Sequence, residues 1–293
     1  MPGNFSKKTM TNILQAIKHL IDGHDVLVGE VRESNNRANS LGEAFEVYIK
    51  NVFAGAFGLA GTMYQDRISA VFSYQGSATK PPDLMLRGGD AIEIKKLQTR
   101  DSQIQLNSSF PKNKLHADDS RVSAEAKNSE PWIEKDILYV IGNVDSKSKV
   151  VRSMWWVYGD CFCANASVYQ SVSDKISSAL TQIEDFDFSP TNEIARINGV
   201  DAQRFTDLRI RGMWLLKNPH KIFEEYAPFD KYAEFQLFVL MQEKKWQTFP
   251  SVDRDVIEKL AKSGILEMTS EKVANPDNPA QSLDCRLIKF IIR

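Results

Sequence analysis

Two strand-length segments joined by Gly88-Gly89 constrain this chain most. The run from Pro82 to Leu97 alternates apolar and polar residues on either side of that glycine pair, which predicts a β-hairpin. Successive side chains in a strand point to opposite faces. If Ile92 and Ile94 turn into the core, Glu93 and Lys95 emerge together on the other face, a carboxylate beside an ammonium. Asp83, directly after Pro82 and separated from Glu93 by nine residues, returns across the turn to bring a second carboxylate to the same place.

The surrounding patterns suit an α/β fold, a central mixed sheet flanked by helices with a smaller C-terminal α+β part. Ile13, Leu14, Ile17 and Leu20 recur at helical spacing until Asp22-Gly23, and Leu41, Phe45, Tyr48, Ile49 and Phe53 form a second helical face with Ser40 as its expected N-cap. Asp136 to Gly142 and Val150 to Tyr158 are near-continuous apolar runs of strand length, read as interior strands of one sheet. Between them and the hairpin, residues 98 to 130 form a polar stretch too long for a simple connection and are a candidate functional loop. A helix is predicted from Ser167 to Ile183, a strand from Leu208 to Leu216, a helix from Tyr232 to Met241, a short helix at Val256 to Leu260 and a final strand at Arg286 to Ile292. Asp185 to Pro190 interrupts the pattern and sets the expected division: a core over 1–190, and a part over 191–293 for recognition or dimerisation.

Composition narrows the function by exclusion. At 293 residues and 42% hydrophobic the chain can bury a core unaided, so its three cysteines are expected to stay reduced. Lys plus Arg number 37 against 38 Asp plus Glu, and this near-neutral balance gives no global attraction to a polyanion. Any anion-binding face must be local. No apolar run approaches membrane-spanning length, and the expected location is the cytoplasm.

Asp83, Glu93, the backbone carbonyl of Ile94 and waters make an all-oxygen site suited to Mg²⁺. Such an ion polarises a phosphodiester and acidifies water, and Lys95 can orient that water. The alternative from the motif alone is an exposed hairpin with a surface ion pair. Two other acidic-x-Lys triplets, Asp145-Ser146-Lys147 and Glu243-Lys244-Lys245, lack a Pro-Asp at hairpin distance, and Pro276-Asp277 has no such triplet after it. Cys161 and Cys163, read as one strand face, have no zinc-spaced partner pair, and the four histidines are scattered. Trp155-Trp156 reads as core and sheet surface.

Pro-Asp followed by Glu-x-Lys on a strand resembles the PD-(D/E)XK nuclease superfamily. That resemblance implies a restriction-endonuclease-like core, metal binding by Asp83 and Glu93, water activation aided by Lys95, and a supporting carboxylate from an upstream helix. Glu46, in Phe45-Glu46, matches that last position, with Glu43 in reserve. The segments Leu106 to Leu115, Trp132 to Gly142 and Thr206 to Trp214 are further similar to type II restriction endonucleases of the NgoPII kind, which cut at GGCC. The implied activity is Mg²⁺-dependent cleavage of double-stranded DNA at a short palindromic GC-rich site, leaving 5′-phosphate and 3′-hydroxyl ends. A bacterial host, a homodimer and a cognate DNA methyltransferase as functional partner are implied with it.

Local charge then acquires meaning. Residues 95 to 152 hold 11 basic against 8 acidic residues, and 207 to 221 hold four against one. Lys96, Arg100, Lys112 and Lys114 are candidate phosphate contacts, Arg209 and Arg211 candidate guanine readers, and Asn107, Ser108 and Ser109 candidate polar contacts to DNA. Two other readings stay open at this point: a structure-specific repair or junction-resolving nuclease, and a non-catalytic DNA-binding module.

Overall fold

The computed structural model describes residues 10–23, 37–77, 80–107, 109–145, 147–191 and 193–293, with backbone only for 37–40. Helices α1 (Ile13–Gly23) and α2 (Arg37–Ala54) pack together and are followed by α3 (Gly61–Val71). Asn12 caps α1, its Oδ1 accepting from Leu14 N at 2.9 Å. Ser40 lies inside α2 rather than capping it, because the helix already begins at Arg37.

Strands β1 (Phe72–Ser77), β2 (Lys80–Leu86) and β3 (Ala91–Leu97) form an antiparallel meander. The expected hairpin is thus present, with Leu84 opposite Ile92 and Met85 opposite Ala91. Gly88 makes its turn at φ +66°, a left-handed conformation that a side chain would strain. The stretch after β3 is largely folded. It carries β4 (Ile104–Leu106), β5 (Lys114–His116) and α4 (Ala124–Asn128). Next come β6 (Glu134–Val144) and β7 (Val151–Tyr158), interior strands of one sheet as expected, and adjacent and antiparallel in it.

Helices α5 (Gly159–Phe162) and α6 (Ala166–Thr181) follow, then the short strands β8 (Asp187–Phe188), β9 (Ala195–Asn198), β10 (Leu208–Ile210) and β11 (Trp214–Leu216). The single strand expected from Leu208 to Leu216 is therefore two. β10 pairs with β9 in a small sheet, whereas β11 crosses to pair with β4, the break falling at Arg211-Gly212-Met213. Cys161 and Cys163 belong to the tight turn of α5 and not to a strand face, and both are buried.

After α7 (Pro219–Ile222) comes β12 (Phe235–Gln242), where a helix was expected from Tyr232 to Met241. All eight residues of β12 are buried, and a continuous apolar run buried on both faces carries no period that distinguishes strand from helix. The chain ends with α8 (Glu243–Thr248), α9 (Ser251–Lys262), β13 (Glu267–Asn275) and β14 (Asn278–Ile292). Pro276-Asp277 joins the last two.

Among the described residues the main sheet has the order β1-β2-β3-β6-β7-β12-β14-β13, with β5 on the edge of β6. β3 with β6 and β7 with β12 are parallel; the other pairs are antiparallel, so the sheet is mixed. It runs through the division expected at residue 190, since β12 lies beside β7. Alternate residues feed two cores. Leu138, Val140 and Trp156 meet α1, α2, α3 and α9 on one face; Ile137, Tyr139 and Trp155 meet α4, α5 and the segments around Ile104 and Phe223 on the other. Close approach fixes α2 on the first face. A Cβ on Gly142 of β6 would lie 2.1 Å from Phe45 Cζ, so only glycine lets the Phe45 ring seat there.

Candidate active site

The hairpin brings Asp83, Glu93 and Lys95 together. Continuing the β2–β3 register by one residue sets Asp83 opposite Glu93, and Asp83 Oδ2 accepts the Ile94 amide at 2.6 Å. Lys95 Nζ lies 2.6 Å from Glu93 Oε1 and 3.7 Å from Asp83 Oδ2. Their side chains are 25, 11 and 19% exposed for Lys95, Glu93 and Asp83, a position at the edge of solvent and not on the open surface. Ile92 and Ile94 enter the helix-covered core, as the alternation requires. Glu46 is half-buried on α2, which packs against β3, while Glu43 on the preceding turn is exposed.

The charges here do not balance. Burial and then the Glu93 charge push the Asp83 carboxyl up to about 7, against the pull of Lys95 and the Ile94 amide. Burial also raises Glu46; Lys50 and Lys95 oppose that rise, and Glu43 and Glu93 add to it. Burial pulls Lys95 down, but Glu93 and Asp83 more than offset it and hold the ammonium above its usual value. Glu93 Oε2 is buried with no hydrogen-bond partner. A buried, unpartnered carboxylate oxygen beside a second carboxylate at the limit of ionisation is a site short of positive charge.

That shortage fits a divalent cation. Among the described residues no three His, Cys, Asp or Glu side chains converge to enclose an ion by themselves. Mg²⁺ does not need such a cage: it is ordinarily held by one or two carboxylates and keeps several waters. Asp83, Glu93 and the Ile94 carbonyl are the oxygen donors available to it here.

A second assembly lies beside α6 and the start of β11, at the ends of β4, β9 and β10. A cavity of about 720 Å³ is lined by Asn107, Ser109, Arg211, Trp214 and Glu193, and by Lys80, three residues before Asp83 on β2. Three residues singled out in the sequence, Asn107, Ser109 and Arg211, thus share one wall system with a residue of strand β2.

The chain was compared with known proteins. The family model described as NgoPII restriction endonuclease matches residues 11–274, which takes in the hairpin, α2 and the cavity. This chain belongs to the NgoPII restriction endonuclease family. A curated relative, the type II restriction enzyme NgoPII of Neisseria gonorrhoeae, is 39% identical over 279 residues, covering 95% of this chain and 99% of that protein. No solved structure matches the chain.

Within this NgoPII family member the candidate DNA contacts separate sharply. Lys112 is buried, ion-paired with Asp119 and seated 4.7 Å over the Phe110 ring, so its ammonium is not on the surface where a phosphate would meet it. Lys114 is paired with Glu134 and stands 3.5 Å from Asp136. Arg100 is exposed beside Asp101 and over Phe229, and Lys96 is half-buried on β3. Arg209 and Arg211 meet on one carboxylate, Glu193, at 2.7 and 2.6 Å. Ser108 lies outside the described residues.

Sequence reading overlooked a second cluster at the hairpin turn. Lys245 Nζ lies 2.6 Å from Asp90 and 2.7 Å from Asp136, and the Tyr158 hydroxyl donates to Asp90 at 2.6 Å. Lys245 belongs to the Glu243-Lys244-Lys245 triplet, which has no catalytic hairpin signature, and 109 residues or more separate it from both partners. No local signal could have joined them. Glu193 was likewise unread, being a lone acidic residue in a polar stretch.

Proposed function

We propose that this chain is a type II restriction endonuclease that hydrolyses double-stranded DNA at a short palindromic, GC-rich site, GGCC by resemblance, with Asp83, Glu93, Lys95 and Glu46 as its catalytic group. The observation that carries the reading is the uncompensated carboxylate pair, with the orphaned Glu93 Oε2 and the Asp83 carboxyl at about 7, next to a firmly charged lysine. Family membership favours sequence-specific cutting over a junction-resolving or purely DNA-binding role. A PD-(D/E)XK core is consistent with the motif's place on β2–β3, with the parallel β3–β6 pair and with α2 set against β3.

Asp83 and Glu93 would hold Mg²⁺, with the Ile94 carbonyl as a third donor. When bound, the ion supplies charge neutralisation at the scissile phosphate and a more acidic water. Lys95 then positions the attacking water and donates to the developing negative charge, a role for which its Nζ is already oriented by Glu93 at 2.6 Å. Glu46 adds a carboxylate at the site's edge, helped into place by Phe45 in its Gly142 seat. Cleavage leaves 5′-phosphate and 3′-hydroxyl ends. A palindromic site suits a two-fold homodimer in which each protomer cuts one strand. Residues 191–293 would contribute to recognition or dimerisation, and a cognate methyltransferase would protect the host. Among the described residues no helix is long and apolar enough to cross a membrane, which accords with a bacterial cytoplasmic enzyme.

The test is digestion of unmethylated phage DNA by the purified protein in Mg²⁺, with EDTA and Lys95→Ala as controls, followed by end sequencing. Discrete fragments that disappear in both controls support the reading. Intact DNA across several divalent ions would sink it.

A further inference from the structure

The two arginines at the recognition cavity are not equivalent, and the residue that makes them different is Glu193. It lies two residues before the start of β9, while Arg209 lies within β10 and Arg211 follows it. Antiparallel pairing of Ala195 with Ile210, and the Ile194 amide donating to Ile210 O at 3.1 Å, bring the ends of the two strands together. Glu193 is the least exposed of the three, half-buried, its side chain 19% exposed against 56 and 62% for the arginines. Its backbone is tied as well, the Glu193 amide donating to Thr191 Oγ1 at 3.1 Å.

Arg209 engages Glu193 side-on, Nε to Oε2 at 3.0 Å and Nη2 to Oε1 at 2.7 Å, a bidentate contact that uses one edge of the guanidinium and covers both carboxylate oxygens. Arg211 approaches the same carboxylate with Nε as its nearest atom, 2.6 Å from Oε1, as an ion pair. A guanidinium has five N–H donors in a rigid plane. With Nε the atom nearest Glu193, the terminal Nη1/Nη2 edge of Arg211 makes no hydrogen bond to that carboxylate. That edge is the fork that matches O6 and N7 of guanine in the major groove. Of the two arginines it is Arg211 that lines the cavity, in company with Asn107, Ser109 and Lys80.

We propose that Glu193 is a specificity-positioning residue: braced by Arg209, it clamps Arg211 by Nε so that the terminal edge of Arg211 is presented to a guanine of the recognition site. This deepens the duplex-DNA reading above and rests on it. Arg211 is the base reader, Arg209 a brace, and Glu193 acts through both. The arrangement replaces an entropic cost at the moment of binding with a preset orientation, because a long, exposed arginine otherwise loses its rotamer freedom on contact.

The experiment is cleavage in Mg²⁺ of a plasmid library carrying randomised short sites by wild type, Glu193→Gln, Arg211→Lys and Arg209→Lys, with thermal unfolding of each protein in parallel. Glu193→Gln is expected to unfold within a few degrees of wild type and still to cut, but with about a tenfold or larger loss of preference for guanine at particular positions of the site. Arg211→Lys should relax the same positions, and Arg209→Lys the same ones to a smaller extent. Wild-type discrimination retained by Glu193→Gln overturns the proposal. So does a uniform loss of cutting on all sequences, which would mark a structural or phosphate-binding role. If wild type cuts nothing in the library, the endonuclease reading itself falls, and this inference with it; if wild type cuts and Glu193→Gln is indistinguishable from it, only the inference falls.

Discussion

Hairpin β2–β3 carries two carboxylate–lysine clusters, and they are built to opposite specifications. At its turn, Asp90 and Asp136 share Lys245, and Tyr158 donates to Asp90. Burial would raise Asp136, but Lys245 and then Lys114 hold it below the ordinary carboxylate range, and burial's pull on Lys245 is reversed by its two partners. Along the strands, Asp83 and Glu93 share Lys95 with Glu46 nearby, yet Asp83 is pushed up to about 7 and Glu93 Oε2 has no partner. The composition is similar; the difference is satisfaction. In the first cluster Asp136 and Lys245 both shift toward their charged forms, an arrangement that stabilises the fold. In the second the fold holds the Asp83 carboxyl against its charged form, with Glu46 displaced in the same direction, a cost retained where a ligand will relieve it.

Breaking each cluster at its lysine should expose that difference most strongly. Lys95→Ala is expected to slow DNA cleavage by about 10²–10⁴-fold while duplex binding and the unfolding temperature stay near wild type; equal loss of binding would erase the distinction. Lys245→Met should do the reverse. It strands Asp90 without its cation and leaves Asp136 with Lys114 alone, at a cost of about 3 kcal/mol or more, visible in denaturant unfolding, with the remaining folded protein still cutting.

Gly142→Ala probes how the second cluster is held from outside. Its methyl group would collide with the Phe45 ring, displacing α2 and Glu46 with it. Overpacking of this kind costs about 1–3 kcal/mol, and cleavage should fall beyond what stability explains. A turnover number unchanged per folded molecule would show that Glu46 does not depend on that seat.

The smallest effect is the most diagnostic of stored cost. Because the Asp83 carboxyl is raised above its unfolded value, the native state holds a proton between about pH 4 and pH 7 that the unfolded chain has released. Stability therefore falls as pH rises through that window. Asp83→Asn removes the charge while keeping an acceptor for the Ile94 amide. It should stabilise the metal-free protein above pH 7 on the order of 1–2 kcal/mol, leave it unchanged near pH 4, and abolish cleavage. A variant destabilised at pH 8 would place Asp83 among the satisfied groups.

The β2–β3 hairpin was legible because its constraints are local. Alternation across Ile92-Glu93-Ile94-Lys95 and a glycine turn decide which residues share a face, and the register Leu84 to Ile92 follows from the turn. Amphipathic α1, α2 and α9 were legible for the same reason, their apolar stripes lying within a few turns. β12 was not, since its eight buried residues offer no polar face to set a period. The split of β10 from β11 was hidden because β11 is recruited by β4, over 100 residues upstream.

Sequence alone determined the hairpin, the presence of two carboxylates and a lysine on it, and the resemblance that pointed to the family. Only the tertiary structure decided which lysines are spoken for. Lys112, an apparent phosphate contact, is sealed against Asp119 and Phe110, and Lys245, apparently idle, holds two aspartates together. The physical reason is that side-chain alternation is a property of neighbouring residues, whereas charge compensation depends on groups brought together from opposite ends of the chain and on how much water is left between them.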